Sequence, residues 1–236
     1  MTQADATAPR GHRRAGRRKV QVLEAAGRVI AERGADATRF ADVAAESAVP
    51  VSTLQYYFGS REDLLVAAFR HASSTEIAAL EAELAALDDP WDQLARIATR
   101  ALASYGTQSE RSGELWIESW HFGIRDPEMR ADTLRDYAAW RRLIAAAVRS
   151  GIDSGQFSSR QSPERLAVLI LALLDGVGIP LALGDPEITT EGATADVMTA
   201  IAEIVHRRNA GAPRSGISPA ADAEHQDGHH APDAPR

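Results

Sequence analysis

The 236-residue chain contains no cysteine. Disulfide frameworks, thiolate metal sites and cysteine nucleophiles are therefore excluded, and the absence fits a reducing compartment. Aromatic residues are scarce at 6%. Ala and Leu take their place, and both lose little on entering a helix. No run alternates in the manner of a half-buried strand, and no segment repeats. The first residues, through Lys19, are polar and charged with no apolar stretch behind them, so no secretory leader is expected. No Ser/His/Asp set, Gly-rich phosphate loop or His/carboxylate pair at metal-ligating helical spacing is present. The expectation is a protein that is not an enzyme and has no cofactor and no metal site. His225, His229 and His230 stand in a tail of Ala, Pro, Gly and Asp, which offers a metal no fixed geometry.

Positive charge is also in deficit overall, with a net −7, but its distribution matters more than its sum. Residues 1–61 hold ten Lys or Arg against six Asp or Glu, a balance of +4. The remainder carries −11. The densest basic stretch runs from Arg10 to Lys19. A polyanionic partner would therefore be met by the N-terminal end.

The apolar pattern is helical almost throughout. Residues 1–16 read as a flexible basic arm. From Arg17, Val20, Leu23, Gly27 and Ile30 share one face until Gly34 stops the helix. Thr38 is a plausible N-cap for a second short helix with Phe40, Val43 and Ala44 inward. A turn around Ser47–Pro50 leads to a third helix, Val51–Tyr57, and Ser60 opens a long fourth. Asp89-Pro90, Asp126-Pro127 and Ser162-Pro163 each place a capping side chain before a first-turn proline. A last helix spans roughly 194–208, and residues 210–236 are expected to be disordered. Leu166–Leu183 is nearly all apolar. Asp175, Gly176, Gly178 and Pro180 interrupt it, so a buried bundle helix is expected rather than a membrane span.

Three short helices followed by a long one make the layout of a helix-turn-helix, whose second helix enters the major groove. Leu23-Glu24-Ala25-Ala26, Glu32-Arg33-Gly34, Thr38, Val43-Ala44 and the run Val49 to Leu65 closely resemble the DNA-binding domain of TetR-family regulators. The run from Trp140-Arg141-Arg142 to Gly155-Gln156-Phe157, followed by an apolar helix with Asp175-Gly176, resembles the C-terminal domain of the BetI-like branch. The resemblance implies roles. Thr38 would touch phosphate. Val51, Ser52, Thr53 and Gln55 would face the groove, and Tyr56 would touch backbone phosphate or sugar. Arg61 would bind phosphate at the N-terminus of the fourth helix. Three departures stand out. Ala48 replaces the family's turn glycine, Pro50 a capping serine, and Gln55 the first of two paired tyrosines. Gln can bond an adenine edge, so position 55 is a candidate for reading sequence.

The expectation is an all-α protein of about nine helices: an arm (1–16), a helix-turn-helix domain (17–62), an effector-binding and dimerisation bundle (63–209) and a tail (210–236). Arg17, Arg18, Thr38, Val51, Ser52, Thr53, Gln55, Tyr56 and Arg61 are the candidate DNA contacts. Tyr105, Trp116, Glu118, Trp120, Phe122, Tyr137 and Trp140 are the candidate walls of an effector pocket. The expected partners are a roughly palindromic double-stranded operator, a second copy paired through 163–183 and 194–208, and a small-molecule effector, with no membrane. A repressor in the cytoplasm is the main reading. A regulator controlled by a protein partner, or by no effector, is the alternative.

Overall fold

The computed structural model describes residues 10–106 and 112–207. The expected tail and the first nine residues of the arm lie outside them. Nine helices and no strand occur among the described residues. They are α1 (Arg10–Arg33), α2 (Phe40–Ser47), α3 (Val51–Phe58), α4 (Arg61–Leu84), α5 (Pro90–Gly106), α6 (Ser112–Arg125), α7 (Pro127–Asp153), α8 (Pro163–Ala182) and α9 (Thr190–Ile204).

The start signals act as their chemistry demands. Asp89 Oδ1 accepts from the N–H groups of Trp91 and Asp92 at 2.8 and 3.0 Å. Asp126 Oδ1 accepts from Met129 N at 2.7 Å, and Ser162 Oγ from Arg165 N at 3.2 Å. Ser60 caps α4 by accepting from Asp63 N at 3.0 Å, while Asp63 Oδ2 accepts from Ser60 N in return. The last helix begins four residues before the expected 194, where Thr189 caps it by accepting from Gly192 N at 3.1 Å.

The arm requires a correction. Helix α1 begins at Arg10, not Arg17, so residues 10–16 are helical. Apolar periodicity reports only the part of a helix that packs, and from Gly16 onward the first buried side chain is Val22. The preceding turns are rich in Arg, which favours helix, and Gly11 and Gly16 weaken a helix without ending it. Val20, expected on the inner face, is 41% exposed for the same reason.

Two apolar cores result. The first joins α1–α3 to Leu64, Leu65 and Phe69 at the start of α4, and takes in Leu115 of α6 and Met129 of α7. The second gathers Leu80 and Leu84 at the far end of α4 with α5, α7, α8 and α9. The boundary expected at 62/63 therefore crosses a continuous core, and α4 belongs to both halves. Helix α8 is long and apolar enough to span a bilayer, with a mean hydropathy of 2.0. One side of it, with Leu166, Ile170, Leu174 and Leu181, is buried against the bundle. Val168, Ala172, Gly176, Ile179 and Leu183 form an exposed stripe on the other.

The turn between α2 and α3 carries a local strain. Ala48 adopts φ 53° and ψ 33°, the left-handed region where a Cβ costs about 1–2 kcal/mol. The site is exposed, so a glycine there removes no packing. Ala48→Gly is expected to stabilise the protein by up to about 1 kcal/mol, the strain relief less glycine's extra unfolded-state entropy. Thermal or urea unfolding checks it; an unchanged or lower midpoint would show that the turn carries no such strain.

Candidate nucleic-acid interface and cavity

The exposed face of α3 is built by subtraction. Leu54 and Phe58 point into the first core, which leaves Val51, Ser52, Gln55 and Tyr56 outside and Thr53 half-buried. Tyr56 is 85% exposed. Tyr57 is half-buried and packs edge-on against Phe58. Pro50 starts α3 with no side-chain cap, and its carbonyl takes the Thr53 N–H at 2.9 Å. Arg17 and Arg18 are exposed on α1. Lys19 Nζ lies 5.4 Å from the centre of the Phe58 ring, which brings the basic end of α1 beside the end of α3.

Two of the expected phosphate contacts face elsewhere. Thr38 is fully buried, and its hydroxyl donates to Gly34 O at 2.9 Å. Arg39, not Thr38, precedes α2, with Arg39 N donating to Asp42 Oδ2 at 3.0 Å. Arg61 spends its guanidinium on the loop between α1 and α2. It donates to the carbonyls of Thr38 at 2.6 Å, Ala35 at 2.5 Å and Asp36 at 2.9 Å, and it pairs with Glu62. From the opposite side Glu118 Oε2 accepts the Ala35 N–H at 2.8 Å. The loop is thus held by one cation and one anion from different helices. Glu118, expected at a ligand pocket, belongs to this clasp. Phe122 packs on Phe69, ring centres 6.2 Å apart, against the first core.

A partly open cavity lies between α4, α5, α6, α7 and α8. Tyr105, Trp116 and Trp140 line it, as the sequence suggested. Trp120 and Tyr137 stand behind Trp116, at 5.9 and 5.7 Å between ring centres. Tyr105 is wedged between two glycines. A Cβ on Gly113 would lie 2.3 Å from its ring, and one on Gly178 2.5 Å. Only glycine permits α6 and α8 to approach the ring so closely.

The ionisable lining was not legible in the sequence, apart from Asp175, noted as an interruption of the apolar run 166–183. Glu76 and Arg100 form a two-point ion pair at 2.6 and 3.0 Å, and Arg100 also pairs with Glu83 at 2.5 Å. Asp136 and Asp175 line the same space. Tyr137 donates its hydroxyl to Asp175 Oδ2 at 2.9 Å. Burial pushes the Asp175 carboxyl above the usual range, opposed by that hydrogen bond. Burial likewise raises Asp136, opposed by the Ser73 hydroxyl and more distantly by Arg135 and Arg70. Burial and the nearby Asp175 carboxylate push the Tyr105 and Tyr137 phenols upward. Both phenols therefore stay protonated donors at neutral pH.

Known proteins resemble the chain along most of its length. The family model described as bacterial regulatory proteins of the tetR family matches residues 22–68. That of the BetI-type transcriptional repressor C-terminal domain matches residues 90–206. The HTH-type transcriptional regulator BetI of Brucella anthropi is 25% identical over 167 residues, 71% of this chain and 82% of that protein. Among solved structures, a putative transcriptional regulator from Saccharomonospora viridis in complex with choline is 27% identical. It superposes with a TM-score of 0.72 over 80% of this chain and 96% of its own. A putative TetR-family regulator from Rhodococcus sp. is also 27% identical, with a TM-score of 0.69 over 80% of this chain and 99% of its own.

The raised Asp175 carboxyl has a signed consequence for stability. The folded chain holds this proton more tightly than the unfolded chain. Stability therefore falls as pH climbs from the ordinary carboxylate range through the raised value, and the penalty is fully present above it. Asp175→Asn keeps an acceptor for Tyr137 and removes the charge. Without ligand, the variant is expected to melt a few degrees above the parent near neutral pH, the gap closing as pH falls toward about 4. Melting curves across this range check it; a gap that does not vary with pH would show that the charge is compensated.

Proposed function

Because the chain belongs to the TetR family of transcriptional regulators, in the branch with a BetI-type C-terminal domain, we propose that it is an operator-binding repressor. A small organic cation in the cavity would release it from DNA. The observation that carries the DNA half is the exposed face of α3, where Val51, Ser52, Gln55 and Tyr56 project from a helix locked by Leu54 and Phe58. That helix fits the major groove. Arg17 and Arg18, on the exposed start of α1, supply phosphate contacts beside it. Gln55 reads a base edge, and Tyr56 meets the backbone. Arg61 contributes by holding the α1–α2 loop. Residues 17–62 present this surface, 63–209 carry the effector and dimer functions, and the protein acts on the chromosome in the cytoplasm.

The effector half rests on the cavity's chemistry. Aromatic faces beside carboxylates attract a cation, and the similar Saccharomonospora viridis regulator was solved with choline. Helix α6 offers the route outward. Trp116 and Ser119 form part of the cavity wall, and Glu118, on the next face, grips Ala35 at the entrance to the DNA-binding helices. A ligand that fits one placement of α6 better than another shifts the loop, and the recognition helix with it.

Phosphate-dominated binding makes affinity steeply salt-dependent, with a slope of about −0.9 per phosphate neutralised. Fluorescence anisotropy with DNA from the promoter region of the protein's own gene, titrated across salt, is expected to show that slope. Arg17→Ala and Arg18→Ala should each reduce it by about 1, and Gln55→Ala should erode the preference for specific over random DNA. A flat salt response with no sequence preference would overturn the DNA-binding reading.

The α8 stripe from Val168 to Leu183 matches a two-helix seam in which α8 and α9 pair with their copies about a twofold axis. Two recognition helices then reach successive turns of one palindromic site. Leu174 is buried within the chain's own core, so Ile179, 46% exposed on the stripe, is the discriminating position. Ile179→Arg is expected to give a folded monomer with weakened operator binding, because the seam would have to bury an unpaired charge. Light scattering coupled to size exclusion checks it; a dimer of parental mass would place the interface elsewhere.

A further inference from the structure

The cavity treats its three acids unequally. Glu76 has a resident counter-ion, since Arg100 meets both of its carboxylate oxygens. Asp136 and Asp175 form no ion pair among the described residues, although both line the same space. Asp175 holds only the Tyr137 hydroxyl. Asp136 has the Ser73 hydroxyl beside it, with Arg70 and Arg135 acting only through space. Arg70 is committed to Asp132 and Glu128, and Arg135 to Asp132.

The two carboxylates without an ion pair come from different helices. Asp136 projects from α7 toward Ser73 of α4. Asp175 comes from α8, bonded to the Tyr137 hydroxyl and near that of Tyr105. Burial raises both, and neither contributes to raising the other. The rest of the lining includes the apolar and aromatic side chains of Phe69, Trp116, Trp140 and Leu174. A ligand with a single positive charge would leave one half-buried carboxylate uncompensated. A ligand charged at both ends would neutralise the pair and lay its methylenes along the apolar wall, with ring faces available to either ammonium.

We propose that the cavity is built for a linear organic dication, two ammonium groups joined by an alkyl chain, one seated at Asp136 and the other at Asp175. The inference rests on the reading that this cavity is the effector site. It adds the charge and shape of the effector.

The test is a calorimetric titration of the full-length protein with α,ω-diaminoalkanes of roughly four to ten carbons, each beside the monoamine of equal length, and with choline. One diamine length is expected to bind about tenfold or more tightly than its monoamine, with weaker binding at shorter and longer lengths. Asp136→Asn and Asp175→Asn should each bring that diamine down to the affinity of the monoamine. Asp136→Glu, which keeps the charge, should retain most of the advantage and separates charge loss from misfolding. Choline or monoamines binding as tightly as every diamine would overturn the proposal while leaving the effector reading intact. A diamine advantage that survives both Asn variants would also overturn it, by placing the diamines on the acidic surface. No binding by any of these cations would remove both readings together.

Discussion

The short loop between α1 and α2 is the point on which the two halves of this molecule depend. Six residues, 34–39, must turn the chain with several carbonyls and N–H groups that no helix satisfies, and unpaired buried backbone is costly. The chain solves this with charge from a distance in sequence. Arg61, at the start of α4, takes three loop carbonyls, and Glu118, on α6, takes a loop N–H. The Thr38 hydroxyl donates to the carbonyl of Gly34. Charge-assisted bonds of this kind are stronger than neutral ones. The DNA-binding helices are therefore fixed in register by groups that lie outside them.

It follows that the helix-turn-helix is not a module hung on a bundle. Its core is completed by Leu115 and Met129, from the helices that also wall the cavity. Helix α4 runs through both cores. Across its middle, Arg70 pairs with the buried Asp132 of α7 at 2.6 Å. Coupling between ligand and DNA then needs no long pathway. Phe69 and Leu115 belong to both the first core and the cavity lining, so a change at one surface is a packing change at the other.

Much of this could be read in the residues. Capping side chains followed by proline located α5, α7 and α8, because that chemistry is local. The Val49 to Leu65 run located the recognition helix, because its outward residues follow once Leu54 and Phe58 are assigned inward. What could not be read was anything set by distant partners. Thr38 and Arg61 looked like phosphate contacts from their positions in the motif, and only the fold shows them satisfied by the loop itself. Glu118 and Trp116 sit two residues apart on one helix, and sequence alone does not tell which faces the cavity and which the loop. Nothing in the sequence singles out Asp136 or Glu76. Their shared cavity exists only after α4 and α7 are packed. The helical turns before Arg17 were missed because solvated helix carries no apolar rhythm.

The wedge at Tyr105 constrains how such a pocket can change over generations. The ring occupies volume that Gly113 and Gly178 leave empty, so the three residues are inherited as a unit. Adding a methyl at either glycine overlaps the ring and forces helices apart. Shrinking the ring first opens a void, and replacing a large buried aromatic by alanine costs about 3–5 kcal/mol, a substantial part of a domain's margin. No single substitution leads out of this arrangement without loss. The aromatic wall beside Asp175 is thus evolutionarily stiff, and drift in ligand preference should be concentrated away from it.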